Sequence, residues 1–122
     1  MTIRLARGAL ALCLALPCLA GPDPWTLRDT AWELSYVAVV AMDCSQSRQI
    51  ENGGRYERNP LLPRHPSART ILHLGVLNVA AHATVSYFLP SPWRRRFQAV
   101  SVVLEAGVVS DNYFRAGVKL KF

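Results

Sequence analysis

The residues in this 122-residue chain that could carry out chemistry in an otherwise apolar setting are Asp43, His82 and Glu105. Two carboxylates and an imidazole are the side chains that ligate a divalent metal or pass a proton, and both tasks require them within a few ångströms of one another. Around them stand amide and hydroxyl side chains able to orient such a centre: Gln46, Ser47, Gln98 and Asn112. The same residue types have a plainer use, since helices that associate away from water are routinely joined by hydrogen bonds between Asn, Gln, Ser, His and carboxylate side chains. The sequence favours this structural use. His73 and His82 are nine residues apart and do not share a helix face as a zinc pair would. No Gly-rich phosphate loop, nucleophile elbow or paired metal motif is present, so neither a metal nor another cofactor is expected.

These residues must be positioned by few elements. A chain of this length supports one domain. Its hydrophobic content of 51% and mean hydropathy of +0.14 are high for a water-soluble domain, yet low for helices that face only lipid. The first twenty residues read as an export signal. Arg4 and Arg7 provide the positive start, Gly8 to Leu16 the apolar stretch, and Cys18-Leu19-Ala20 a small-residue end before Gly21, with cleavage expected after Ala20. An uncleaved anchor helix is the alternative. Cleavage would leave Cys44 without an intrachain partner, so no disulfide framework follows.

Beyond the signal, residues 21–122 are expected to form one helical bundle domain. Gly21 to Pro24, Gly53 to Pro66 and the Pro90/Pro92 pair punctuate the chain, leaving helices from about Thr26 to Gln49, Ser67 to Leu89 and Arg94 to Tyr113. Thr26 or Asp29 caps the first. Thr70 to Leu89 carries no charged residue and approaches the roughly 20 residues needed to cross a bilayer, whereas the uncharged parts of the other two helices are shorter. The alternating segment from Gly117 to Phe122 has no companion strands and reads as a tail. The predicted fold is therefore all-α, a small three-helix bundle after an N-terminal signal or anchor helix, embedded in or associated with a membrane.

At about 100° per residue, each helix gathers its polar residues on one side. Asp29, Glu33, Tyr36, Asp43 and Ser47 align on the first helix and Gln98, Ser101, Glu105 and Asn112 on the third. Asn78, His82 and Ser86 cluster on the second, with His73 elsewhere. If these stripes face one another, Asp43, Glu105 and Asn112 belong to one buried polar cluster, to which the second helix contributes His82.

In order and spacing, Asp43-x-x-Gln46-Ser47, Glu57-x-Asn59-Pro60-Leu61, Pro66-Ser67, His82, Leu89-Pro90, Arg95 or Arg96, Gln98, Glu105 and Asn112 resemble one known family. It is an uncharacterised family of short bacterial and phage-encoded membrane or envelope proteins, with a D-x-x-Q-[ST] motif followed by E-x-N-P. The resemblance covers nearly all of the chain after Gly21; Ser47 stands where Thr is expected. It implies a membrane or envelope setting and no known activity.

The remaining motifs read structurally. Glu57, Asn59 and Pro60 suit a loop in which Asn59 bonds nearby backbone while Pro60 fixes an extended turn. Trp93 with Arg94, Arg95 and Arg96 suits an interfacial anchor at the head-group level. The net charge of +6 could favour nucleic acid, but the Arg run opens a hydrophobic helix and lacks interleaved aromatics, so no nucleic-acid partner is expected. The expected partner is the lipid bilayer, with an envelope protein or a second copy as further candidates. The expected function is that of a small non-catalytic protein of a bacterial-type inner membrane or cell envelope. The alternatives are a compact intramembrane enzyme or transport component using Asp43, His82 and Glu105, and a periplasmic helical bundle.

Overall fold

The computed structural model describes residues 23–52 and 65–120. The signal segment, the Glu57-Asn59-Pro60 motif and the last two residues of the tail lie outside the described residues. Three helices follow one another: α1 (Leu27–Asn52), α2 (Ala68–Phe88) and α3 (Ser91–Phe114), with no strand among the described residues.

Each boundary has a local cause. Thr26 and Asp29 cap α1 reciprocally: the Thr26 N–H donates to Asp29 Oδ2 at 2.8 Å and the Asp29 N–H to Thr26 Oγ1 at 3.2 Å. This is a capping box with Asp in the acidic position. Ser67 caps α2, its Oγ accepting from the Thr70 N–H at 3.1 Å. Helix α3 begins at Ser91, three residues before the expected start, because Pro92 sits in the first turn, where a missing N–H costs no hydrogen bond. Gly117 has φ +66°, which folds the tail back so that the Val118 N–H reaches the Asn112 carbonyl at 3.0 Å. Val118 is thereby buried.

The bundle runs up, down and up. Bonds from Arg94 to Asp29 near one end and from Asn112 to Gln46 near the other set α1 and α3 parallel. Tyr36 opposite Asn78, and Cys44 beside Ile71, set α2 antiparallel to α1. α1 is the central helix: it packs most extensively on α3 and next on α2, while α2 and α3 touch little.

Burial runs opposite to that of a water-soluble bundle. Among the described residues Asp29, Gln46, Ser47, His82, Ser86, Arg94 and Gln98 are buried, against Tyr36, Val40, Ile71, Leu89 and Val118 of the hydrophobic ones. Large apolar side chains face outward on all three helices, including Leu34, Leu72, Leu77, Val103, Leu104 and Phe114. Among the described residues, α2 is the one helix long and apolar enough to cross a membrane.

Helices α1 and α2 approach closely where Gly75 faces Cys44. A Cβ built on Gly75 would lie 2.6 Å from Cys44 Sγ, well inside contact distance. Gly75→Ala should thus overpack the interface by about 1–3 kcal/mol, against a helix-propensity gain of about 1 kcal/mol. Combining it with Cys44→Ala should remove the overpacking. Thermal unfolding of the two single variants and the double variant checks this; simple additivity would show that the two positions do not compete for space.

Candidate polar core between the helices

Helical geometry places the polar stripes of α1 and α3 along one shared interface, which forms a polar core with three levels. The first is built on Arg94. The side chain is fully buried, and all five of its N–H donors have acceptors. Nε donates to the Ser86 carbonyl at 2.8 Å, and Nη1 to the Pro24 carbonyl and to Asp29 Oδ2, both at 3.2 Å. Nη2 donates to the carbonyls of Asp23 at 2.8 Å and Tyr87 at 3.4 Å. Ser86 and Tyr87 are in the last turn of α2, where carbonyls have no intrahelical donor, so the guanidinium acts as a C-terminal cap supplied by the next helix. The Trp25 ring covers it, with the centroid 5.2 Å from the guanidinium carbon. Asp23 closes the α2–α3 turn by accepting from the Ser91 N–H at 2.6 Å.

One turn further along, Glu33 links the other two helices. Its Oε1 lies 2.8 Å from His82 Nδ1, and its Oε2 accepts from Gln98 Nε2 at 3.1 Å. Gln98 Nε2 also reaches the Asp29 carbonyl at 3.1 Å. The imidazole is stacked between Tyr36 and Phe97, with ring centroids 3.7 and 4.6 Å away. Tyr36 Oη in turn donates to Asn78 Oδ1 at 3.2 Å. With stacking on both faces and a carboxylate on one nitrogen, the ring has little rotational freedom.

The third level joins the far ends of α1 and α3. Asn112 Nδ2 donates to Asp43 Oδ1 at 3.3 Å and to Gln46 Oε1 at 3.2 Å. Gln46 Nε2 donates to the Val109 carbonyl at 3.1 Å and the Val118 carbonyl at 3.3 Å, tying the tail to both helices. Gln49 Nε2 adds a bond to the Lys119 carbonyl. Ser47 is buried on α1 at this end. Half-buried Glu105 stands between the second and third levels, within electrostatic range of Tyr36 and Asp43.

This arrangement corrects two expectations. His82 does not join Asp43: its partner, Glu33, precedes Asp43 by ten residues, about 15 Å along the helix axis. The reason is the antiparallel register of α2, which puts Asn78 level with Tyr36 and sends His82 toward the N-terminal end of α1. The Arg94-Arg95-Arg96 run likewise does not serve as one anchor. Successive helical residues point about 100° apart, so Arg94 turns into the core while Arg96 and Trp93 remain exposed, Arg96 with its guanidinium carbon 5.3 Å from the Trp93 ring centroid.

Asp29, Glu33 and Arg94 are the polar-core side chains that sequence reasoning undervalued. The signal was present for all three. Arg94 lies within about 40° of Gln98, Ser101, Glu105 and Asn112 on the helical wheel, and Asp29 and Glu33 lie on the polar stripe of α1. As for chemistry, no group of three His, Cys, Asp or Glu side chains among the described residues is placed to hold a metal ion. Asp29 Oδ1, His82 Nε2, Ser86 Oγ and Gln98 Oε1 are buried without a protein partner, so the polar core retains hydrogen-bonding capacity around its first two levels.

Removing the guanidinium would strand the Asp29 carboxylate and several carbonyls at once. Arg94→Met should destabilise the bundle by about 3–5 kcal/mol. Arg94→Lys should fail to restore it, because one ammonium cannot reproduce the planar fork that serves five acceptors. Thermal unfolding of the purified variants tests this, and wild-type stability in Arg94→Lys would reduce the residue to a simple counter-charge for Asp29.

No family model, curated protein or solved structure matches the chain. The functional reading therefore rests on the geometry of the chain itself.

Proposed function

We propose that the chain is a small integral membrane protein of a bacterial-type cell envelope, in which a hydrogen-bonded polar interior holds three helices together for a structural or partner-contacting role rather than for catalysis. The observation that carries this reading is the distribution of side chains. Charged and amide groups are packed inward while Leu77, Val103 and Phe114 are 63%, 68% and 81% exposed. Water would penalise such an exterior, whereas lipid accepts it, and ionisable groups within a membrane are found facing the bundle interior and one another. The non-catalytic part is supported by the engagement of the polar groups with each other: Arg94 uses every donor, Glu33 bridges His82 and Gln98, and Asn112 bridges Asp43 and Gln46.

Charge supports one orientation. With the N-terminal end of α1 outside, the cytoplasmic side receives Arg48, Arg69 and the loop arginines Arg55, Arg58 and Arg64, together with Arg115, Lys119 and Lys121 of the tail. The outer end keeps Arg28, Arg95 and Arg96. Arg94, paired with Asp29, lies at the same end, and the eight cations inside outnumber the four outside, in the sense of the positive-inside tendency.

Carbonate washing of membranes from expressing cells tests the integral character. The chain is expected to stay in the pellet, and its release would favour a periplasmic bundle instead. Orientation is tested separately by a reporter fused after Phe122, which is expected to be active in its cytoplasmic form; activity confined to the periplasm would reverse the assignment.

A further inference from the structure

Between α1 and α2 runs an open groove of about 790 Å³ that the polar core does not use. Val37 and Ala41 form one wall, Leu72 and Val76 the other, and Gly75 lies between them; its lining is apolar except toward one end, where Ser45, Arg48 and Gln49 border it. From Val37 to Gln49 the α1 wall rises about 18 Å, comparable to one leaflet of a hydrocarbon core roughly 30 Å thick. Arg48 is exposed, and no ion pair joins it to another described residue. It sits toward the end of α1 from which the Arg-rich loop to α2 departs. The groove thus combines an apolar trough of leaflet length with a cation where that leaflet meets water.

We propose that this groove binds an anionic phospholipid, with one acyl chain lying between α1 and α2 and the phosphate head group paired with Arg48. A second copy of the chain is a poorer occupant, because an apolar helix laid in the trough would bring no counter-charge to Arg48, which has no ion-pair partner among the described residues, whereas an anionic lipid satisfies both features. The proposal rests on the membrane reading above and adds to it a defined ligand class and leaflet.

The test is native mass spectrometry of the full chain purified from membranes in mild detergent and exposed to equimolar phosphatidylglycerol and phosphatidylcholine. One phosphatidylglycerol is expected to be retained in preference to phosphatidylcholine. Arg48→Gln should weaken that retention about fivefold, the effect of one interfacial cation. Ala41→Trp and Val76→Trp, both at exposed positions on opposite walls, should displace the lipid, while Val103→Trp on the outer surface of α3 should not. Thermal unfolding of each variant identifies any that merely misfolds, and Arg48→Gln, a surface change, still decides the matter if both groove variants do. Equal retention of the two lipids, indifference to Arg48→Gln, or groove variants that change the oligomeric state and leave lipid retention unaltered would each overturn the assignment. Release by carbonate would remove the membrane reading itself, whereas a carbonate-resistant chain that keeps no lipid removes the groove proposal alone.

Discussion

A guanidinium buried among helix ends constrains where everything else in this bundle goes. Taking an arginine out of water costs several kcal/mol, and the arrangement persists only if every donor is met by an acceptor of suitable geometry. Around Arg94 those acceptors come from three separate stretches: the linker before α1, the Asp29 carboxylate in its first turn, and the final carbonyls of α2. Satisfying them together fixes the entry of α1, the exit of α2 and the start of α3 at one place. Gln98, one turn on, inherits its position against Asp29 and Glu33 from that junction.

From this junction the polar interior continues toward the other end, and its levels differ in character. Near Arg94 the interactions are between charged groups and backbone carbonyls. Around His82 they are a carboxylate contact combined with ring stacking, which holds position by shape as well as by charge. Near Asn112 they are mostly neutral amides reaching carbonyls and one carboxylate. Hydrogen-bonded networks of this kind specify register, since a shift of α3 along α1 would unpair several groups at once. An apolar interior of similar volume would tolerate sliding more easily.

The apolar groups excluded from the interior cover the outside of the bundle and wall the groove between α1 and α2. The same helix pair therefore has contrasting surroundings: tight contact at Gly75 and Cys44, an open trough beside it, and a polar seam toward α3. This asymmetry follows from α1 occupying the centre while α2 and α3 meet only slightly. A third extensive interface would have closed the polar seam on all sides and left less outer surface exposed.

Much of this was legible in the sequence. The three helices follow from Pro and Gly punctuation and from uncharged stretches, the cap at Thr26 and Asp29 from residue type, and the inward polar faces from a 100° count, because all depend on interactions within a few residues of each other. The level at which each polar residue finds its partner was not legible. His82 could be assigned to a face of α2 but not to Glu33 rather than Asp43, since that choice depends on how far α2 is displaced along α1, a quantity set by Asn78, Gly75 and Ile71 packing across the interface. Nor could Arg94 be separated from Arg95 and Arg96 while the run was read as one charged patch. Its burial was decided by the convergence of carbonyls from distant parts of the chain, which exists only once the helices have packed.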